Sequence, residues 1–175
     1  MSLFSQLAHD HFVLRTALGA LKTIVEKERY SEFEDQLPRA VEFFQMFMDG
    51  YHHHKEERFV FPLIQYASQE LKDMLPDLLG DHRRAKDLAD SLASALQAGD
   101  IRRFGQVALQ LYDHMDEHIG EEDRDVWPIM KNAVPAKLSE TAFIDANNYF
   151  DRQLGGDFTA RMERFAMELK AKVGS

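Results

Sequence analysis

The sequence predicts an all-α protein: an up-down-up-down four-helix bundle over residues 1–134, followed by a C-terminal helical extension over residues 135–175. Three observations carry that expectation. Apolar residues recur at helical spacing in four successive segments. The second and fourth segments are copies of one another. With Pro62 laid on Pro128, His52 falls on His118, Glu56 on Glu122 and Phe61 on Trp127. Mostly short connections between the segments then favour antiparallel neighbours.

The first helix is expected from Ser2 to about Glu28, with Leu3, Leu7, His11, Leu14, Leu18, Leu21 and Val25 on one stripe. The polar stretch from Arg29 to Gln36 ends it. A second helix begins near Phe33 to Pro38 and aligns Val41, Phe44, Met48, His52, Glu56, Phe59 and Leu63. Gly50 weakens it by about 1 kcal/mol relative to Ala, and Pro62 should kink or end it. The third helix is expected from near Pro76, a residue favoured in a first turn, to about Gln97. Its stripe is Leu78 or Leu79, His82, Ala85, Ala89, Leu92 and Leu96. Gly99 reads as a helix end and Asp100 as the next N-cap. The fourth helix carries Phe104, Val107, Leu111, His114, His118, Glu122 and Ile129, interrupted by Pro128. Asp10-His11 and Asp81-His82 suggest that each half opens with a similar helix. In the extension, Ser139 would cap a helix to about Gln153 and Gly155-Gly156 would break it. Residues 157–172 are amphipathic through Phe158, Met162, Phe165 and Leu169, a face for the bundle or for a second copy of the chain in a homodimer.

Composition narrows the chemistry. A chain of 175 residues, 45% hydrophobic and 29% charged, suits one globular domain with a real core. The absence of Cys removes disulfides, thiolate catalysis and cysteine-ligated metal or iron-sulfur sites, leaving His and carboxylates as the strong metal ligands. A net charge of -9 without a basic stripe argues against nucleic acid as a partner. No apolar run approaches the roughly 18 residues of a membrane span, and Met1 to Leu7 lacks the basic start of a secretory signal, so a cytoplasmic protein is expected.

Both copies set an imidazole four residues ahead of a carboxylate, which on a helix puts the two on one face, a turn apart. His11 and His82 lie in the stripes of the other two helices, so each helix offers one inward His. This mixed nitrogen and oxygen set suits iron, manganese or zinc. Two Glu, each able to bridge, plus four His fit a dinuclear site. A lone His in an apolar stripe is more often a hydrogen-bonded core residue. Burying four His and two Glu with no cation, however, would cost several kcal/mol per unpaired charge. Ferritin-type bundles carry Glu-x-x-His, with Glu first and three residues of separation, whereas this chain has His first and four.

Residues 10-11 (DH), 52-62 (HHHKEERFVFP), 81-82 (DH) and 118-128 (HIGEEDRDVWP) resemble the hemerythrin-like, or HHE cation-binding, domain over roughly residues 3 to 131. The resemblance implies a hemerythrin-like four-helix bundle around a non-haem di-iron centre. His11, His52, His82 and His118 would be terminal ligands, with Glu56 and Glu122 as bridges. The oxygen-carrying members add a His one turn along the third helix, where this chain has Lys86, and use Asp where it has Glu122. The ligand set is closer to the di-iron repair members, associated with nitric oxide and iron-sulfur cluster recovery, although the Cys-bearing domain common to those is absent from this sequence.

His114 stands one turn before His118, but its counterpart is Met48, so the repeat does not require it as a fifth ligand. His53 and His54 fall outside the repeat alignment and read as exposed, or as supports of the ligands. Asp10, Asp81, Glu57 and Asp123 are candidates to receive the second N–H of a ligating His. Phe61 and Trp127 are expected to close one end of the site. The functional expectation is a di-iron protein, with oxygen or nitric oxide binding or sensing, or iron holding. Its alternatives are an enzyme that reduces NO or peroxide or assists iron-sulfur repair, and an interaction module with a structural metal. The residues favour a metal- and ligand-binding protein over an enzyme.

Overall fold

The computed structural model describes residues 2–174; Met1 and Ser175, the outer ends of the two expected segments, lie outside the described residues. Helix α1 spans Leu3–Glu26 and starts at a capping box in which Ser2 and Ser5 exchange backbone and side-chain hydrogen bonds. A 3-10 turn, Tyr30–Glu32, leads to the second bundle helix, which is composite. Helix α2, Leu37–Phe43, passes into π-helical Phe44–His53 and Glu56–Val60, then into a 3-10 segment, Phe61–Tyr66.

Helix α3 covers Gln69–Gln97 and α4 covers Ile101–Glu121, with a π turn at Glu122–Val126 and a short α5 at Trp127–Ala133. Among the described residues there is no strand, and no helix is long and apolar enough to cross a membrane.

Helix α3 begins earlier than the expectation near Pro76. Ser68 caps it by accepting from the Leu71 N–H, and Leu71 is buried against the lower core. Pro76 then sits inside the helix, exposed like Lys72, whose carbonyl it leaves free on the solvent side. Asp100 caps α4 as expected, accepting from the Arg103 N–H at 3.0 Å, and Gly99 supplies the turn with φ 69°.

The extension forms α6, Ala136–Leu154, and α7, Phe158–Gly174, separated by Gly155 at φ 89°. Pro135, not Ser139, stands at the start of α6. Helix α7 lies along α1, and Phe158, Phe165 and Leu169 are buried in the same core as Phe43, Phe47 and Leu21. The apolar face of α7 is thus turned toward the bundle. Phe44 and Met48 are core residues as expected, joined by Phe43 and Phe47, while Met46 is exposed.

Two apolar clusters divide the interior. The upper one holds Val13 to Val25 of α1, Phe43 to Tyr51 of the second helix, Ala85 to Ala95 of α3 and Phe104 to Ile119 of α4. The lower one holds Leu3, Leu7, Val60, Phe61, Leu71, Leu78, Val126 and Trp127. Along each bundle helix the candidate ligands fall between or at the edge of these layers. The up-down-up-down order therefore brings one polar slab together from four helices.

Candidate metal centre

That slab is buried: His11, His52, His82, His118, Glu56 and Glu122 are each no more than 2% exposed. Their donor atoms form two groups, within each of which all lie within 4.8 Å of one another: His11, His52, Glu56 and Glu122, and Glu56, His82, His118 and Glu122. Both carboxylates belong to both groups. Glu122 lies 3.2 Å from His11 Nε2 and 3.6 Å from His118 Nε2; Glu56 lies 3.4 Å from His52 Nε2 and 3.4 Å from His82 Nε2. Donors bound to one cation at about 2.0–2.2 Å stand about 3.0 Å apart at a right angle and about 3.4 Å apart at a tetrahedral angle, so these spacings could serve as edges of coordination polyhedra.

The outward nitrogens follow the repeat. His11 Nδ1 donates to Asp123 Oδ1 at 2.7 Å, and His82 Nδ1 donates to the equivalent Glu57 Oε1 at 2.9 Å. His52 Nδ1 lies 3.6 Å from Asp10 Oδ2, and His118 Nδ1 lies 3.6 Å from Asp81 Oδ2. Each pair joins a His of one helix to a carboxylate of another. A carboxylate at Nδ1 fixes the ring orientation and turns Nε2 inward. These are the four acids picked out in the sequence.

The inward Nε2 atoms of the four His, and both oxygens of Glu56 and of Glu122, are buried without a hydrogen-bond partner. Buried polar atoms are rarely left so, and eight converging on one volume fit a pair of cations. Burial opposes the imidazolium of His11, yet the hydrogen bond to Asp123 and the nearby carboxylates of Glu122 and Glu56 push it up to about 10. Burial likewise opposes that of His82, which Glu56 and Glu57 push up to about 9. Burial would raise Glu56, but His52, His82 and His11 hold it down at about 2. Glu56 thus stays ionised, and in the metal-free protein the protons on His11 and His82 partly take the place of cations.

Aromatic rings close the slab on the lower side. Phe61 of the first half stacks on His82 of the second, with centroids 5.4 Å apart, and Trp127 of the second half lies 6.4 Å from His11 of the first. Asp10 is held by Lys55, which is 1% exposed and also donates to the Tyr51 hydroxyl at 3.1 Å. Burial works against both charges, but their mutual attraction raises the Lys55 ammonium and, helped by His52, lowers the Asp10 carboxyl. The repeat places Glu121 opposite Lys55, so this buried ion pair has no counterpart in the second half.

Two histidines differ from the sequence reading or settle what it left open. His114 is half-buried and donates its Nε2–H to the Asp81 carbonyl at 2.9 Å, outside both ligand groups. His53, read from sequence as exposed or supporting, is 1% exposed and stacked on His82, with ring centroids 4.0 Å apart. A helical wheel at α-helical pitch points it away from His52. The π-helical stretch from Phe44 to His53 turns it inward. Only the run of three consecutive His could have hinted at it. Burial, followed by the neighbouring His82, His52, His118 and His11, lowers its pKa well below the ordinary value and keeps it neutral.

The fold and this slab define a helical bundle built to hold cations between His and carboxylate side chains. The chain belongs to the hemerythrin HHE cation-binding domain family, whose model matches residues 2–169 and so reaches through α6 into α7. Comparison with curated proteins and with solved structures gave no match.

Proposed function

We propose that this chain holds two iron ions and uses the pair to bind or sense a small diatomic ligand, O2 or NO, or to hold iron, as a cytoplasmic protein. The observation that carries the reading is the pair of four-residue groups sharing Glu56 and Glu122, with every inward donor atom buried and without a hydrogen-bond partner. Iron bound there would supply reversible one-electron chemistry and coordination positions open to a small ligand. His11, His52, His82 and His118 would act as terminal donors, and Glu56 and Glu122 would span the two positions. Asp123, Glu57, Asp10 and Asp81 hold the rings in register, and Phe61 and Trp127 keep bulk water from the lower side. Manganese or zinc would fit the same donors.

Anaerobic reconstitution with Fe(II), followed by metal analysis and absorption spectra before and after O2 or NO, tests the reading. About two iron per chain and a ligand-dependent change in the spectrum are expected. No more than trace iron would overturn it. Sustained turnover of NO or peroxide with an electron donor would make the same site that of an enzyme.

A further inference from the structure

The two halves of the slab are not equivalent, and the difference centres on His53. The repeat sets His53 against Ile119, a fully buried core residue. Where Ile119 fills its place with hydrocarbon, His53 puts two ring nitrogens into the interior, and neither has a hydrogen-bond partner. Buried imidazoles normally satisfy at least one nitrogen. His114 has done so through Asp81, and His11 and His82 through Asp123 and Glu57; the rings of His52 and His118 form no hydrogen bond, but each has a carboxylate 3.6 Å from Nδ1.

The orphan ring is held among the candidate ligands. It stacks on His82 with an interplanar angle of 9° and meets His118 edge-on, with ring centroids 5.7 Å apart. One nitrogen from each of His53, His82 and His118 lies within 4.8 Å of the others. For bonds of about 2.0–2.2 Å, two donors on one cation are at most about 4.4 Å apart, so a small adjustment suffices to bring all three onto one ion.

The backbone is asymmetric in the same place. Both halves have a π turn after the shared carboxylate, at Glu56–Val60 and Glu122–Val126. Only the first half has a further π-helical stretch, Phe44–His53, and it ends on this residue; the matching part of α4 is regular α-helix. Wide turns of this kind are rare and concentrate where a side chain must be re-aimed.

We infer that His53 is a third imidazole donor to the metal position of His82 and His118. That position then has three His and the two shared Glu. The position of His11 and His52 has two His and the same two Glu, and the larger number of free coordination places. The inference rests on the proposed metal loading and adds a ligand at a position of the second helix whose counterpart in the repeat is Ile119.

Co(II) is the probe, titrated anaerobically into the full chain. Uptake of two Co(II) by the unaltered protein tests the metal loading itself. His53 is tested separately, by the exchangeable ring N–H resonances that bound Co(II) shifts far outside the ordinary range: five are expected if His53 binds, four if it does not. This measurement needs no variant. In His53→Leu, one of the five should vanish, one Co(II) should bind at least about tenfold more weakly, and the visible absorption should intensify as coordination falls by one. Adding free imidazole to His53→Gly should restore the original spectrum, which a packing role would not produce. Four shifted signals in the unaltered protein, or a folded His53→Leu with unchanged Co(II) affinity and spectrum, would overturn the assignment.

Discussion

Replacing Lys55 by Met removes one partner of the buried ion pair that anchors Asp10. The Lys55 side chain is 1% exposed, and its ammonium contacts the Asp10 carboxylate and the Tyr51 hydroxyl. In Lys55→Met the carboxylate stays buried, as it is now at 3% exposed, with only the His52 ring, Nδ1 at 3.6 Å, beside it. Breaking a buried pair from one side typically costs about 3–5 kcal/mol, because the remaining charge is stranded in a medium that cannot solvate it. A chain of this length loses about 2–4 °C of midpoint per kcal/mol, so the thermal midpoint of the metal-free protein should fall by about 6–20 °C. Circular dichroism melts and urea titrations measure it. In the double variant Lys55→Met with Asp10→Asn both charges are gone, and most of the loss should return, giving a coupling of at least about 2 kcal/mol. Lys86→Met is the control: Lys86 and Asp90 pair at 2.6 Å on the exposed face of α3, and the midpoint should not move. A cost below about 1 kcal/mol for Lys55→Met, or additivity in the double variant, would refute the reasoning.

Four other outcomes follow from the same geometry. Because Glu56 belongs to both donor groups and His11 to one, Glu56→Ala should weaken uptake of both metal ions and His11→Ala chiefly one, as read by stepwise Co(II) titration; equal losses in both variants would contradict shared bridging. His11 and His82, pushed up to about 10 and about 9, carry protons at pH 7 in the metal-free protein, and a cation at Nε2 must expel them. Affinity should therefore fall as pH falls, by up to about two decades per pH unit for the loaded pair, with proton release detectable in weak buffer. The same raised values support the metal-free fold below the unfolded pKa of about 6.5, a contribution lost as pH rises through about 9 to about 10; a metal-free protein more stable at pH 10 than at pH 7 would contradict this. Finally, Phe165 is buried and 5.9 Å from the Phe43 ring, so Phe165→Ala should cost about 3–5 kcal/mol in urea unfolding. A negligible loss would mean that α7 unfolds separately from the bundle.

Much of the site could be read from residue spacing because the bundle repeats itself. The His-to-Glu interval, the Pro after each copy and the Asp-His pairs specify which faces turn inward, and the structure brings those six residues into two groups sharing both carboxylates. The four acids that face the outer nitrogens were legible too, since a ligating ring needs an acceptor for its second N–H. Pro76 misled at the start of α3, because a proline on a solvent face can be tolerated well inside a helix whose buried residues hold it in place.

The sequence by itself determined the helix count, the antiparallel order and the inward His and Glu, because each is set by an interval along one chain and by apolar periodicity. Only the tertiary structure decided the roles of His53, His114 and Lys55. Those depend on what surrounds a helix and on how tightly it is wound. The π-helical stretch turns His53 off the pitch that periodicity assumes, and α6 and α7 cover a side of the second helix that a bare four-helix bundle leaves in water. Under that cover Lys55 is buried against Asp10, while its counterpart Glu121 remains partly exposed. The repeat predicts a symmetric site, and burial from outside the repeat makes its two halves unequal.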